Sequence, residues 1–332
     1  MVRVLITVDT EVWPDSPGWP HTPLAGDQDC ARELAWYFYG GAGSDALGLP
    51  YQLRVLAAAG LKATYLVDPL FSFALGAEPL RAIVELIKEH GQEVGLHLHP
   101  EWLTDSRCVG LPPFAGPLLA RYSETEQAAL IRAGIARLGE AGAGRIEAFR
   151  AGNWSASQAT LRALRQNAIR FDSSLNPNFE ASFPDLPDRA AYLQPARLEG
   201  VWEFPVTTFV DRPPAARRPL HVCACSLAEF RTVLEHAAAN HWFAVVIVLH
   251  SFEFVRVDRL PGRKPAAPQR LLARRFERVC EYLAANRDRF QPCHFADLDP
   301  AEIPVAPGVP PPVSTHGRTA MRRLEQLASM LY

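Results

Sequence analysis

The chain has 332 residues, of which 48% are hydrophobic and 21% charged, and its formal net charge is −2. This composition is typical of a folded globular protein and excludes a disordered one. The absence of a basic surplus argues against nucleic acid or an anionic membrane as a partner. No apolar run approaches the roughly 18 residues of a membrane helix, and the first predicted strand begins at Val2, which leaves no room for a secretory leader. We therefore expect a cytoplasmic protein with reduced cysteines, in which Cys223 and Cys225 are strand residues.

The N-terminal segment, residues 2–11, is a near-continuous apolar run that ends in two acids. A run this rich in β-branched residues predicts a buried parallel strand. Asp9 and Glu11 stand two residues apart at its carboxyl end, so they point the same way while Thr10 faces elsewhere. Ligands of α/β folds bind at such strand ends, and the pair therefore indicates a functional site rather than the start of a polar loop.

The connection that follows is close to 40 residues long, far beyond a usual βα loop. It is rich in aromatic residues, among them Trp13 and Trp19, and we interpret it as a wall of the active site, with packing against the body as the alternative. Downstream we predict strands over residues 62–67, 93–98, 146–149, 169–172, 201–208, 243–249 and 292–296. The predicted helices cover residues 48–59, 79–90, 123–142, 226–240 and 269–286, with one more capped by Ser155 and Gln158. Strands and helices thus alternate about seven times, which predicts parallel βα units.

Past Pro300 the chain becomes proline-rich and then forms a predicted short basic helix, residues 315–331. We interpret residues 1–299 as a barrel and residues 300–332 as a tail packing on it, not as a second domain. The sequence has no internal repeat and no glycine-rich phosphate loop, which argues against nucleotide binding through such motifs.

Polar side chains follow four of the apolar strands. They are Asp9 and Glu11, His97 and His99, Arg150, and His250. In a barrel of parallel strands these ends open on one face, where such enzymes hold their sites. Each residue alone is more often structural, but the joint pattern indicates a site. Carboxylate and imidazole together suit a divalent metal, with Zn²⁺ favoured, bound by three protein ligands and one water.

Four short motifs carry a resemblance to a known family. Residues 7–11, 95–99, 149–154 and 248–250 resemble the successive motifs of the NodB-like polysaccharide deacetylases, carbohydrate esterase family 4. The resemblance covers about residues 1–298 and implies a distorted (β/α)7 barrel of the glycoside hydrolase/deacetylase type. It also implies a metal-dependent hydrolase of a C–N bond, which removes an N-acetyl or related acyl group from an amino-sugar substrate.

The resemblance also implies a role for each matched residue. Asp9 becomes the general base, His250 the general acid, and Arg150 the residue that orients Asp9. The family's first motif usually has adjacent aspartates, whereas this chain has Thr10 in the second place, as in the D-x-D and D-x-E variants. Glu11 is therefore the expected carboxylate ligand.

The second motif departs from the family pattern, which spaces its two histidines four residues apart. Four residues beyond His97 stands Glu101. Pro100 disfavours a helical conformation at His99, and in an extended segment His97 and His99 share a face. We favour His99 as the third ligand, with Glu101 as the alternative. The family's aspartate that braces the acid histidine has no clear counterpart, and Asp172 is a candidate only by its place at a strand end.

The expected partner is a carbohydrate or another small acylated substrate, in contact with Trp13, Trp19 and Trp154. The absent leader favours a nucleotide sugar, a lipid-linked precursor or a small oligosaccharide. Two alternative functions stay open. One is a metal-free C–N hydrolase like those of the allantoinase-like branch of the same superfamily, and the other is a catalytically inactive carbohydrate-binding relative. The intact set of Asp9, Arg150 and His250 argues against the second.

Overall fold

The structure is a computed structural model that describes residues 1–13, 34–40, 47–211, 216–256, 267–304 and 309–331. The predicted substrate contact Trp19 lies outside the described residues. The strands are β1 (Val2–Thr10), β2 (Thr64–Val67), β3 (Glu93–Leu98), β4 (Ala148–Ala151), β5 (Phe171–Asp172), β6 (Ala196–Leu198), β7 (Val201–Glu203), β8 (Thr208–Asp211), β9 (Ala216–Pro219), β10 (Ala244–His250), β11 (Val255–Arg256), β12 (Ala267–Pro268) and β13 (Phe290–Pro292). The helices are α1 (residues 34–39), α2 (Leu49–Ala59), α3 (Phe71–Leu75), α4 (Ala77–Glu89), α5 (Glu124–Glu140), α6 (Gln158–Gln166), α7 (Leu227–Ala239), α8 (Arg270–Ala285) and α9 (His316–Leu331).

The main sheet has the strand order β10-β1-β2-β3-β4-β5-β7-β6, and β13 also pairs with β1. Neighbours pair in parallel except β6 and β7. The sheet curls into a half-barrel flanked by helices, and this confirms the predicted α/β class and the barrel type of the deacetylases. The predicted N-terminal strand is β1, which pairs with three other strands, β10, β2 and β13. The carboxyl ends of β1 and β10 lie side by side, with Asp9 opposite His250.

Alternating residues of the strands enter two separate cores. One core lies between the sheet and the helices, and it includes Val4, Ile6, Val8, Val67 and Leu96. The other lies on the concave face and includes Leu5, Leu66, Ala148, Phe171 and Val246. Side chains of a strand alternate between its faces, so Asp9 and Glu11 continue the concave face of Leu5. The buried interior of the half-barrel therefore leads directly to the strand-end acids.

Two of the three predicted capping boxes are confirmed, at Ser123 with Glu126 and at Ser226 with Glu229. The third prediction is wrong, because α6 is capped by Ser157 with Thr160. A turn of 3₁₀ helix, Gly152–Trp154, follows β4 and delays the start of α6.

Other predicted boundaries shift. Within residues 201–208, where a strand pair element was expected, β7 ends at Glu203 and β8 begins at Thr208. The predicted strand over 292–296 is β13 followed by a 3₁₀ turn, Phe295–Asp297. Cys223 lies in a turn instead of a strand, as does Cys225. All five cysteines in the described residues are free thiols.

The C-terminal helix α9 packs on the body of the protein through a buried ion-pair network. Arg322 donates to Asp211 at 2.9 Å and to Glu229 at 3.3 Å, and the Thr319 hydroxyl also donates to Asp211. The division into a barrel and a tail at residue 300 stays a prediction. No helix in the described part of the chain has both the length and the apolar character needed to cross a membrane.

Candidate active site

Arg150, at the end of β4, holds the carboxylate of Asp9 in place. Its guanidinium is fully buried, and its Nη1 donates to Asp9 Oδ1 at 2.7 Å. The remaining donors reach Thr7 Oγ1 and both the carbonyl and the hydroxyl of Ser173, at 2.8–3.0 Å. A buried charge is stable only when it is paired and hydrogen-bonded, and here each guanidinium nitrogen has an acceptor. Asp9 is thus held by one oxygen while Oδ2 lies 3.9 Å from His250 Nε2.

Three further side chains bring their ligand atoms together next to Asp9. Glu11 Oε2 lies 3.0 Å from His97 Nε2 and 2.5 Å from His99 Nε2, and the three ligand atoms lie within 4.8 Å of one another. All three residues are buried. His99 has the extended backbone expected from the proline after it, with φ −113° and ψ 98°. His97 and His99 therefore share the concave face with Glu11.

The other ring nitrogen of each histidine contacts a hydrogen-bond acceptor. His97 Nδ1 donates to the Arg150 carbonyl at 2.8 Å, and His99 Nδ1 donates to Glu101 Oε2 at 3.3 Å. A neutral imidazole with its proton on Nδ1 presents a lone pair at Nε2. Two imidazole lone pairs and a carboxylate oxygen then converge on one point, and this arrangement requires either two added protons or a cation.

Charges within this cluster favour the ionised carboxylate. Burial alone would raise the pKa of Glu11, but the neighbouring charges and hydrogen bonds of His99 and His97 hold it well below its usual range. Burial would likewise lower the pKa of His99, yet Glu11 and Glu101 raise it well above the usual value. Without a metal the site therefore favours an ion pair between the ionised carboxylate of Glu11 and the protonated imidazole of His99. A divalent cation can replace the positive charge of that imidazole.

Glu101 lies behind His99, and its carboxylate is not among the three converging ligand groups. Its Oε2 accepts from the far nitrogen of His99, and its Oε1 accepts from Asn153 Nδ2 at 2.7 Å. Asn153 has a left-handed backbone with φ 54°, a conformation that asparagine tolerates better than most residues. The arrangement fits Glu101 as the residue that orients His99, a common role of carboxylates behind metal-binding histidines.

Glu253 braces the acid histidine at the end of β10. His250 Nδ1 donates to Glu253 Oε1 at 2.8 Å, and the same oxygen lies 3.0 Å from His221 Nε2. Burial lowers the pKa of His250, but the hydrogen bond and charge of Glu253, followed by the charges of Glu11 and Asp9, raise it to about 9. His250 Nε2 lies 3.9 Å from Glu11 Oε1 as well as from Asp9. His221, Cys223 and Glu253 form a second group of ligand atoms within 4.8 Å.

Asp172 does not contact His250. Its carboxylate accepts from Ser174 Oγ at 2.5 Å, and the residue lies opposite the buried Glu203 of β7. Burial raises the pKa of both acids. The interpretation of Asp172 as the brace is therefore wrong.

Two of the predicted aromatic contacts border the site. Trp13 Nε1 donates to Glu11 Oε1 at 2.8 Å, and the indole meets the His99 ring edge to face at 4.5 Å between centroids. Trp154 covers the Arg150 guanidinium at 4.9 Å and contacts the exposed Phe179. Whether they bind substrate stays a prediction.

Sequence reasoning missed Glu253, His221 and Asn153. Glu253 follows His250 by three residues, but only the turn after β10 folds its carboxylate back onto the imidazole. Asn153 lies in the motif over residues 149–154, and its role depends on a left-handed backbone that the sequence pattern does not reveal.

Comparisons with known proteins identify the fold. No family model matches the sequence, and no curated protein is significantly similar to it. A Mycobacterium smegmatis protein assigned to the polysaccharide deacetylases is 18% identical, with a TM-score of 0.55 over 89% of this chain and 88% of its own. A GH57-type branching enzyme from the archaeon Pyrococcus horikoshii is 12% identical, with a TM-score of 0.53 over 94% of this chain and 72% of its own. A family 4 carbohydrate esterase from Streptomyces lividans, in complex with acetate, is 13% identical, with a TM-score of 0.41 over 80% of this chain and 93% of its own.

The curled sheet with its polar groups at the carboxyl strand ends defines an α/β half-barrel fold. More narrowly, the chain has the fold of the NodB-like polysaccharide deacetylases, carbohydrate esterase family 4. At identities of 18% and below, the likeness defines the fold alone.

Proposed function

We propose that this protein is a metal-dependent hydrolase that removes an N-acetyl or related acyl group from an amino-sugar substrate. The observation that carries the proposal is the convergence of the two imidazole Nε2 atoms of His97 and His99 on Glu11 Oε2, with both Nδ1 atoms already donating. A buried group of three such donors next to a separate acid and base is typical of a catalytic metal site.

The donor set fits a divalent cation held by Glu11, His97 and His99, with Zn²⁺ as the favoured ion. When bound, such a cation activates water and polarises a carbonyl oxygen. Glu101 and the Arg150 carbonyl keep the two imidazoles in the tautomer that binding requires. The alternative of Glu101 as third ligand is less favoured, since its carboxylate already bonds His99 and Asn153.

Asp9 is the general base in this proposal. Arg150 holds its Oδ1, so Oδ2 is the oxygen that takes a proton from the attacking water. His250 is the general acid and donates its Nε2 proton to the departing amine. The negative charge of Glu253 keeps this imidazole protonated at neutral pH, which suits an acid.

The base and the acid face each other across a short gap. Asp9 Oδ2 and His250 Nε2 are 3.9 Å apart, so the two atoms do not form a hydrogen bond with each other. A substrate amide that approaches both atoms from the open side of the site would have the base and the acid within reach at once. The aromatic border formed by Trp13 and Trp154 suits a sugar ring, whose C–H face packs on aromatic surfaces.

A direct test is release of acetate from chito-oligosaccharide by protein loaded with Zn²⁺. We expect turnover that disappears on chelation and returns with added Zn²⁺. Asp9→Asn should remove it while Zn²⁺ stays bound, because the amide keeps an acceptor for Arg150 but cannot take a proton. Full activity after complete removal of metal would favour the metal-free C–N hydrolase. Stoichiometric Zn²⁺ with saccharide binding and no turnover on any acylated amino sugar would favour the inactive carbohydrate-binding relative.

A further inference from the structure

One more carboxylate lies at the strand end between the two ligand-bearing strands. Asp68 directly follows β2, and its backbone N–H donates to the Thr10 carbonyl at 3.0 Å. In the sheet register Thr10 is opposite Val67, and Val67 is opposite Leu96. Asp68 therefore lies one step beyond Val67, at the level of Glu11 on one side and of His97 on the other.

The side chain of Asp68 belongs to the concave face. Leu66 packs in the concave core together with Leu5, whereas Val67 packs against the helices. Because side chains of a strand alternate, Asp68 continues the face of Leu66 just as Glu11 continues the face of Leu5. The same face carries His97 on the next strand.

Asp68 is fully buried and only half satisfied. Its Oδ1 accepts from the Leu70 N–H at 3.0 Å, while Oδ2 has no hydrogen-bond partner within the described ranges of the chain. A buried carboxylate oxygen without a partner costs free energy unless a cation or a water satisfies it. Burial raises the pKa of Asp68 to about 7, and the charges of His99 and His97 act in the opposite direction. The charges that lower its pKa most are those of His99 and His97, which belong to the metal-ligand group.

We propose that Asp68 is an additional carboxylate of the metal site, whose negative charge strengthens the binding of a divalent cation by Glu11, His97 and His99. Asp68 is not one of the three groups whose ligand atoms lie within 4.8 Å of one another, so it acts on the cation from outside that set. This inference rests on the metal site of the proposed function. The inference adds a charged residue at the end of β2, a strand for which the sequence motifs predicted no site residue.

The substitution Asp68→Asn tests the effect of the charge of Asp68 separately from its hydrogen bond in the turn. The amide side chain keeps an oxygen that accepts from the Leu70 N–H, so the local hydrogen bond survives while the charge is lost. A matched control is Asp105→Asn. Asp105 is also buried and accepts from the backbone N–H two residues on, but its carboxylate is paired with Arg107.

The experiment measures the Zn²⁺ affinity of the full chain by competition with a chromophoric chelator. We expect Asp68→Asn to weaken the affinity by about 10–100-fold, the usual effect of losing a group that supports a metal ligand, and Asp105→Asn to leave it unchanged. The melting temperature of the metal-free protein should stay at the wild-type value in Asp68→Asn, whereas its rise on adding Zn²⁺ should shrink. Asp68→Ser provides a second charge-removing variant that reports the same affinity if the asparagine variant folds poorly.

Glu11→Gln distinguishes failure of this inference from failure of the proposed function. Wild-type Zn²⁺ affinity in Asp68→Asn, together with weakened binding in Glu11→Gln, would overturn the role of Asp68 alone. Wild-type affinity in both variants would overturn the metal site itself and the inference with it. A lower melting temperature of the metal-free Asp68→Asn protein with unchanged Zn²⁺ affinity would mean that Asp68 only supports the turn.

Discussion

Replacing Glu253 with glutamine should lower the pKa of His250 strongly. The change keeps the size of the side chain and an oxygen for the Nδ1–H, but it removes the negative charge 2.8 Å from the imidazole. Burial lowers the pKa of His250, and Glu253 is the strongest of the groups that raise it to about 9. Without that charge, the pKa should return towards or below the ordinary value of about 6.5.

The magnitude follows from this difference. A pKa about two to three pH units above the ordinary value corresponds to about 3 kcal/mol of added stability for the protonated form. Because the folded pKa is raised, this stability is fully present below about pH 6.5 and is lost as the pH rises through about 9. Glu253→Gln should therefore cost stability near pH 6, and the pH-dependent part of that cost should vanish above about pH 9.

The assay is an NMR titration of the histidine side chains in metal-free protein, combined with denaturant unfolding at about pH 6 and about pH 10, on either side of that transition. A matched control is Asp297→Asn, which makes the same charge change beside His294, three residues away in sequence. That control should leave the His250 titration unchanged. An unchanged His250 pKa in Glu253→Gln would refute the assignment of Glu253 as the brace. With substrate, the alkaline limb of kcat/KM should also move to lower pH by about two units.

Asp9→Asn should abolish turnover but keep bound Zn²⁺, whereas Glu11→Gln should lose the ion. Metal analysis of both proteins checks this. Equal loss of Zn²⁺ in the two variants would contradict the assignment of Asp9 as the base. Trp13→Ala should raise the KM for a chito-oligosaccharide more than for a small acetate ester. An equal loss of activity on both substrates, together with a lower melting temperature, would exclude a contact between Trp13 and the sugar. Arg322→Met should cost about 3–5 kcal/mol in denaturant unfolding, because buried Glu229 loses its charge partner and Asp211 keeps only the longer contact with Arg218, at 3.7 Å. A cost below about 1 kcal/mol would show that the network contributes little.

The long apolar strands were the most predictable part of the fold. β1 and β10 are continuous β-branched or leucine-rich runs, and their predicted ends place Asp9 and His250 at the same edge of the sheet. Short strands such as β5 and β13 shift by up to a few residues, because a run of two or three residues carries almost no periodicity. The start of α6 also shifted, because Asn153 and Trp154 adopt left-handed backbones that no propensity favours.

Within the candidate site, sequence reasoning located the residues that directly follow strands and missed those that act through turns. Glu253 reaches His250 only because residues 251–254 turn back. The choice between His99 and Glu101 stayed open, since it depends on which imidazole nitrogen faces Glu11. Asp68 directly follows β2 just as Glu11 directly follows β1, so the rule of polar strand ends applies to it as well.

The most direct test of the central claim is an anomalous diffraction map, recorded at the zinc absorption edge from crystals of the full chain grown with Zn²⁺. We expect one strong peak bound by Glu11, His97 and His99, at the roughly 2.0–2.2 Å typical of zinc with nitrogen and oxygen ligands. The map would contradict it by showing no peak there, or by placing the ion instead at His221, Cys223 and Glu253.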